Sequence, residues 1–236
     1  MPPSDEILEI CNLSKTFDEG ESQRIVFREL NASIRRGEFV VLLGRSGSGK
    51  STLLNLISGI DLPTEGEVLI GGQNLTTMTE QKRTLLRRNN IGFVFQFYNL
   101  IPTLTVIENL LLPLELKKNI EAGSKKHALQ ILEQVSLADR ANSYPDRLSG
   151  GEQQRIAICR ALIHKPLLLL ADEPTGNLDV ETGAEVLNFL NHLIRDNHMT
   201  TLMVTHSPEV AQLADRVMTI RDGALVEHSV EAKAFP

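Results

Sequence analysis

Three short runs along the chain carry the pattern of strands buried on both faces: Phe39-Val40-Val41-Leu42-Leu43, Leu167 to Ala171, and Thr200 to Thr205. Near-continuous apolar runs of this length, rather than alternating ones, predict strands of a mostly parallel sheet covered on both sides. Gly44-Arg45-Ser46 follows the first run, which Gly37-Glu38 opens; Asp172-Glu173-Pro174 closes the second, and His206 closes the third. All three therefore place polar residues at one edge, the C-terminal ends of the strands, where open α/β sheets hold ligands. Between them, Val186, Leu187, Leu190, Leu193 and Ile194 share one helical face, as do Ala128, Leu129, Leu132 and Val135. Val217 to Ile220 and Ala224 to Val226 flank Asp222-Gly223 and predict a hairpin; Glu67 to Ile70 followed by Gly71-Gly72 predicts another. Residues from about 97 to 164 lack buried-strand runs and are expected to form a helical insertion. The class is α/β, with no internal repeat and no long linker.

Composition narrows the possibilities. With 24 basic against 30 acidic residues the net charge is −6, the wrong sign for a general nucleic-acid binder, and aromatics make up 4% with no Trp. No apolar run approaches the ~18 residues of a membrane span, and MPPSDEILEI lacks the hydrophobic region of a secretory signal. Cys11 and Cys159 have no metal-ligand spacing and are expected to be two buried thiols of a reducing, cytoplasmic compartment.

Gly44-Arg45-Ser46-Gly47-Ser48-Gly49-Lys50-Ser51 follows the first buried run directly, and Thr52-Leu53-Leu54 continues as a helix. This is the strand, glycine loop and helix of G-x-x-x-x-G-K-[ST], in which successive backbone N–H groups converge on phosphate oxygens. The helix N-terminus adds the positive end of its dipole. Lys50 is expected to reach the β- and γ-phosphates and the Ser51 hydroxyl to coordinate Mg²⁺. Adjacent strand residues point to opposite faces, so Asp172 and Glu173 are expected to do different work. Asp172 would hold Mg²⁺ through its water shell, and Glu173 would orient and deprotonate the attacking water. Without the loop the same pair would read as a strand-ending acidic turn. His206 alone would be a structural histidine; on the same sheet edge it is placed to bond the γ-phosphate and hold water in line.

Leu148-Ser149-Gly150-Gly151-Glu152 precedes a helix running to about Leu162, with Ser149 as its N-cap. It is a second helix start with open backbone donors. In sequence order, the loop at 44–51, Gln96, the 148–152 element, Asp172-Glu173, Gly176-Asn177-Leu178-Asp179 and His206 resemble the nucleotide-binding subunit of an ATP-binding cassette (ABC) transporter. The likeness covers nearly the whole chain.

That resemblance implies one cassette domain over 1–236. Residues 1–96 and 165–236 would form the P-loop core with an N-terminal antiparallel β subdomain, and 97–164 the inserted helical subdomain. It implies that Gln96 touches Mg²⁺ and the attacking water, and that Ser149, Gly150, Gly151 and Glu152 complete the ATP site of a second copy. Asp179 would lie at the seam of that head-to-tail homodimer. An aromatic usually stacks on adenine, and Phe17 is the candidate, with a plain core or surface role as the alternative. Separate membrane subunits would meet Phe97 to Leu116, a stretch that alternatively forms core of the insertion, with the chain peripheral on the inner face of the cell membrane. Lys82-Arg83 and Arg87-Arg88 read as a solvated face, or one facing anionic headgroups. The runs 61–67, 91–96 and 171–179 are similar to subunits of bacterial lipoprotein-release, macrolide-efflux and cell-division complexes. The alternative is a cassette ATPase working on DNA or ribosomes without transport.

Overall fold

A computed structural model describes residues 5–20, 22–45, 47–117, 121–221 and 223–228. Ser46 of the glycine loop, Asp222 of the tail hairpin and the first four residues lie outside these. In chain order the strands and helices are β1 (Glu6–Glu19), β2 (Ser22–Arg35), β3 (Phe39–Leu43), α1 (Lys50–Ile57), β4 (Glu65–Ile70), β5 (Gln73–Asn74), α2 (Glu80–Asn90) and β6 (Ile91–Val94). Then follow α3 (Val106–Leu116), α4 (Ser124–Gln134), α5 (Gly150–Leu162), β7 (Leu168–Asp172), α6 (Val180–Asp196), β8 (Thr201–Thr205), α7 (Pro208–Ala211), β9 (Arg216–Arg221) and β10 (Ala224–His228).

These strands make two sheets. An antiparallel sheet in the order β2-β1-β4-β5 sits against a six-stranded sheet in the order β10-β9-β3-β8-β7-β6, parallel from β9 to β6 and closed by the antiparallel β9–β10 hairpin. The three runs singled out by apolarity are β3, β7 and β8, adjacent at the centre. Their side chains alternate between two cores, so both faces of each strand are buried and the only polar residues within the runs are the buried threonines at the ends of the third. Val40, Leu42, Leu168, Leu170, Leu202 and Val204 join the core shared with α1 and the antiparallel sheet. Phe39, Val41, Leu43, Leu169, Ala171 and Met203 join the core under α6. Each buried Val, Leu, Phe or Met among them contributes about 1.5–3 kcal/mol, so both faces are specified.

Helices α3, α4 and α5 share a third apolar cluster, built on Val106, Ile107, Leu110, Ala128, Leu132 and Ile156. Among the described residues of 97–164 there is no strand. Asn109, fully buried on α3, pins the chain entering that helix: its Nδ2 donates to the carbonyls of Ile101, Leu104 and Thr105, and its Oδ1 accepts from Ile101 N. Cys159 is buried, which pushes its thiol up to about 12, whereas Cys11 is only half-buried, a departure from the expected pair of buried thiols.

The basic run on α2 is not a plain solvated face. Arg87 donates to the carbonyls of Ser58 and Gly59 at the end of α1, Arg83 donates to Met78 O, and both pair with Glu80. Arg87 thus ties α2 to the chain leaving α1, and Arg83 ties it to the residue before its own N-cap.

Candidate functional site

β3 ends at Leu43 and the chain turns back through the glycine loop into α1, because Gly47 and Gly49 adopt φ of 81° and 94°, open to glycine and strained for other residues. Gly49 approaches β2 closely: a Cβ there would stand 2.8 Å from Val26 Cγ1 and 2.9 Å from Phe27 Cζ. Lys50 is buried, and its Nζ donates to Gly44 O (2.8 Å) and Arg45 O (3.0 Å) and lies 3.8 Å from Glu173 Oε1. It thus stands inside the loop with its charge directed along the sheet edge.

A cleft of about 670 Å³ brings most of the sequence-predicted residues together: Arg45, Gly47, Gly49, Lys50, Ser51, Thr52, Gln96, Asp172, Glu173 and His206 line it, with Arg24, whereas Gly44 and Ser48 of the loop do not. It lies at the C-terminal ends of β3, β7 and β8, as the polar ends of the three runs require. Asp172 ends β7 and shares the cleft with Ser51. Burial raises its pKa, the nearby Ser51 hydroxyl opposes that, and the Glu173 carboxylate raises it further while Lys50 lowers it. The two acids do not diverge as strand neighbours would. Glu173 has φ 44°, so the chain leaves strand geometry at that residue and both carboxylates face one cleft. Glu173 Oε2 lies 2.9 Å from His206 Nδ1, and Glu173 N donates to Val204 O. Gln96 is held from the 176–179 turn: Asn177 Nδ2 donates to Gln96 O (2.9 Å), and Gln96 Nε2 donates to Asn177 Oδ1 (3.4 Å).

Among the described residues no three of His, Cys, Asp and Glu converge as a metal cage. The oxygen donors present, the Ser51 hydroxyl and Asp172 beside Gln96, suit a hard cation that keeps waters and takes the rest of its ligands from substrate phosphate. Magnesium is such an ion, and these residues fit it.

A family model described as ABC transporter matches residues 27–176. An uncharacterized ABC transporter ATP-binding protein of Mycobacterium tuberculosis is 56% identical over 93% of this chain and 89% of its own length. A lipoprotein-releasing system ATP-binding protein of Psychrobacter arcticus is 43% identical over 92% of this chain and 96% of its own. The chain belongs to the ABC transporter ATP-binding family. Among solved structures, an ATP-binding cassette seen as a post-hydrolysis dimer with ADP and Pi superimposes with a TM-score of 0.85 at 41% identity, covering 94% of this chain and 98% of that one. The protein is accordingly a transporter-associated ATP-binding subunit and an ATPase.

The other half of the cassette's motif set lies elsewhere. Ser149 caps α5 by accepting from Glu152 N, while the Glu152 carboxylate accepts from Ser149 N at 2.7 Å, a reciprocal capping box. Neither these residues nor Gly150 and Gly151 line the cleft. Close packing fixes the two glycines: a Cβ on Gly150 would lie 2.7 Å from the Tyr98 hydroxyl and one on Gly151 2.5 Å from Thr182 Cγ2. Asp179 caps α6 by accepting from Thr182 N, which holds its carboxyl below the ordinary range. Phe17 is exposed, carries the Lys15 ammonium 4.7 Å above its ring, and does not line the cleft; its cross-strand partner Arg24 does. Arg24 and Asn177 are contributors that sequence reasoning passed over. Nothing local to Arg24 signals a site, because only the β1–β2 pair folding beside the loop brings it there. Asn177 lies in the 176–179 run, whose pattern alone assigns it no contact.

The stretch from Phe97 to Leu116 divides between its two readings. Val106, Ile107 and Leu110 are core, while Phe97, Ile101 and Leu116 are exposed. A groove of about 500 Å³ runs beside it, lined by Phe93, Phe95, Ile101, Leu112, Pro113 and Leu116 together with Arg87, Arg88, Arg160 and His164. Among the described residues no helix is long and apolar enough to cross a membrane.

Proposed function

We propose that two copies of this cassette pair head-to-tail, each cleft taking one ATP with Mg²⁺ and each α5 N-terminus closing the cleft of the other. The observation that carries this is the separation of the two halves of the site within one chain. The phosphate-loop side is assembled in the 670 Å³ cleft, while Ser149 to Glu152, a helix N-terminus with Ser149 exposed at its start, lies outside it. A two-fold axis makes two such sites from one sequence. Asp179, exposed at the start of α6, belongs at that seam, and Phe17 would meet the adenine from β1, beside Arg24. The nucleotide core is 1–96 and 165–236, and 97–164 is the helical subdomain that presents α5.

Within each site the glycine loop and Lys50 hold the phosphates, with Ser51, Asp172 and Gln96 around the cation, which when bound neutralises phosphate charge. Glu173 takes the proton of the water attacking the γ-phosphorus as the bond to the β-phosphate oxygen breaks, leaving ADP and phosphate. His206, bonded to Glu173, keeps that carboxylate aimed at the water. ATP shifts the pair toward its closed state only in so far as it binds that state better. The work passes to separate membrane-spanning subunits seated on the groove beside 97–116, with the cassette peripheral on the inner face of the cell membrane. The likeness to a lipoprotein-releasing ATPase favours lipoprotein, lipid or drug export, or transmission of force across the membrane, over a role on nucleic acid.

Glu173→Gln tests this. The variant should bind ATP, run as a dimer in light scattering with ATP present, and lose turnover by about 10²–10⁴-fold. Unaltered hydrolysis, or a monomer under ATP, would refute the reading. A detergent-extracted membrane partner should copurify; bound nucleic acid would overturn the transport assignment.

A further inference from the structure

Gln154 lies on α5 one turn beyond the capping box, and it is fully buried. Its Nε2 donates to two backbone carbonyls on different elements: Pro174 O at 2.6 Å and Phe95 O at 3.3 Å. Phe95 immediately precedes Gln96, and Pro174 immediately follows Glu173. One carboxamide therefore joins the α5 helix to the backbone beside both residues that face the attacking water. Its orientation is fixed by those partners, since an amide flip would set an oxygen against two carbonyl oxygens. Gln154 Oε1 has no protein partner. Burial makes each of these two bonds costly to lose.

The same helix clamps the other end of the Gln96 segment. Arg160, six residues along, donates to Tyr98 O (2.9 Å) and Asn99 O (2.6 Å), where the chain runs through two consecutive residues of positive φ. Arg160 fixes only that segment, however, whereas Gln154 alone among the described α5 side chains with recorded bonds reaches both loops.

We propose that Gln154 is a positioning residue for hydrolysis: its buried carboxamide ties the helix that serves the partner's nucleotide to the backbone carrying Gln96 and Glu173 of its own site. This rests on the roles given above to Glu173, Gln96 and the α5 N-terminus. A shift of α5 on contact with the partner's nucleotide is passed directly to Phe95 and Pro174, so each site's water-handling residues respond to occupancy of the other. Gln154 touches neither nucleotide, so its loss should act on kcat and on cooperativity, not on binding.

Two variants test it. Gln154→Met keeps volume and removes both donors. It should leave ATP affinity, measured by titration of a fluorescent ATP analogue, within about two-fold of wild type, while kcat falls about 10- to 100-fold and the sigmoidal dependence on ATP flattens. Gln154→Glu can donate only when protonated, and then to one carbonyl. Its kcat relative to wild type should therefore rise as pH falls from about 8 to 6. A merely structural role predicts loss of ATP binding together with kcat, and a ratio that does not change with pH. A flat ratio, or a Gln154→Met kcat within two-fold of wild type, overturns the proposal. Failure of the underlying site reading is seen separately, as retained turnover in Glu173→Gln.

Discussion

Gly49 closes the phosphate loop and caps α1 with φ 94° and ψ 6°. In Gly49→Ala two costs add. Left-handed backbone in a residue with a Cβ costs about 1–2 kcal/mol. The new methyl would also stand 2.8 Å from Val26 Cγ1 and 2.9 Å from the ring of Phe27, a residue with 0% exposure that cannot withdraw, and such overpacking costs about 1–3 kcal/mol. The expected loss is about 2–5 kcal/mol, a large part of a typical domain's 5–15 kcal/mol. Gly47 supplies the control. Its φ is 81° but nothing lies within 4 Å of its Cβ position, so Gly47→Ala carries the backbone cost alone. Urea unfolding followed by circular dichroism would measure both variants, with and without nucleotide at about 100 times its Kd. Nucleotide at that excess adds about 2.7 kcal/mol to a protein that binds it. Gly49→Ala should be the less stable of the two and should lose the nucleotide increment as the loop is forced off β2. Equal stability of the two variants would show that contact with Val26 and Phe27 does not hold the loop.

Arg87→Ala removes the donors to Ser58 O and Gly59 O and should cost about 1.5–3 kcal/mol in urea unfolding, whereas Lys82→Ala should stay within about 0.5 kcal/mol; equal effects would restore the plain solvated face. His164 is held down to about 4, chiefly by burial and then by the Lys117 charge, against an opposing bond to Ile91 O. Its folded pKa lies below the unfolded one, so the stability it contributes is present above about pH 6.5 and is lost as pH falls toward 4. His164→Gln should therefore lose less stability than wild type between about pH 7.5 and 5, and identical losses would refute the assignment.

Much of the site was legible because its elements are local. A buried run, a glycine loop and a helix are contiguous in sequence, so Gly44 to Thr52 could be placed before any packing was known. The polar ends of β7 and β8 follow from the same grammar, since a run that is apolar on both faces can turn polar only where it leaves the core. The α4 and α6 faces were equally plain, and Val186, Leu190 and Ile194 are buried as their spacing requires. The long β1–β2 pair was less legible. Residues of β2 such as Ser22 to Arg24 are exposed, and register shifts interrupt the pairing, so apolar periodicity is weak. The α2 helix has a single buried residue, Leu86, and its charges look like a solvated surface until their carbonyl partners are known.

By itself the sequence determined the buried central strands, the phosphate loop and the residue types at the sheet edge, because periodicity reports which side of an element is apolar. Tertiary structure decided what periodicity cannot carry, the placement of one element against another. It set both acids into one cleft through the φ of Glu173 and brought Arg24 from a distant strand to that cleft. It also turned Arg83 and Arg87 inward onto carbonyls, and set Ser149 to Glu152 outside their own chain's site. Each of these depends on long-range packing, where the partner of a residue lies far along the chain and leaves no trace beside it.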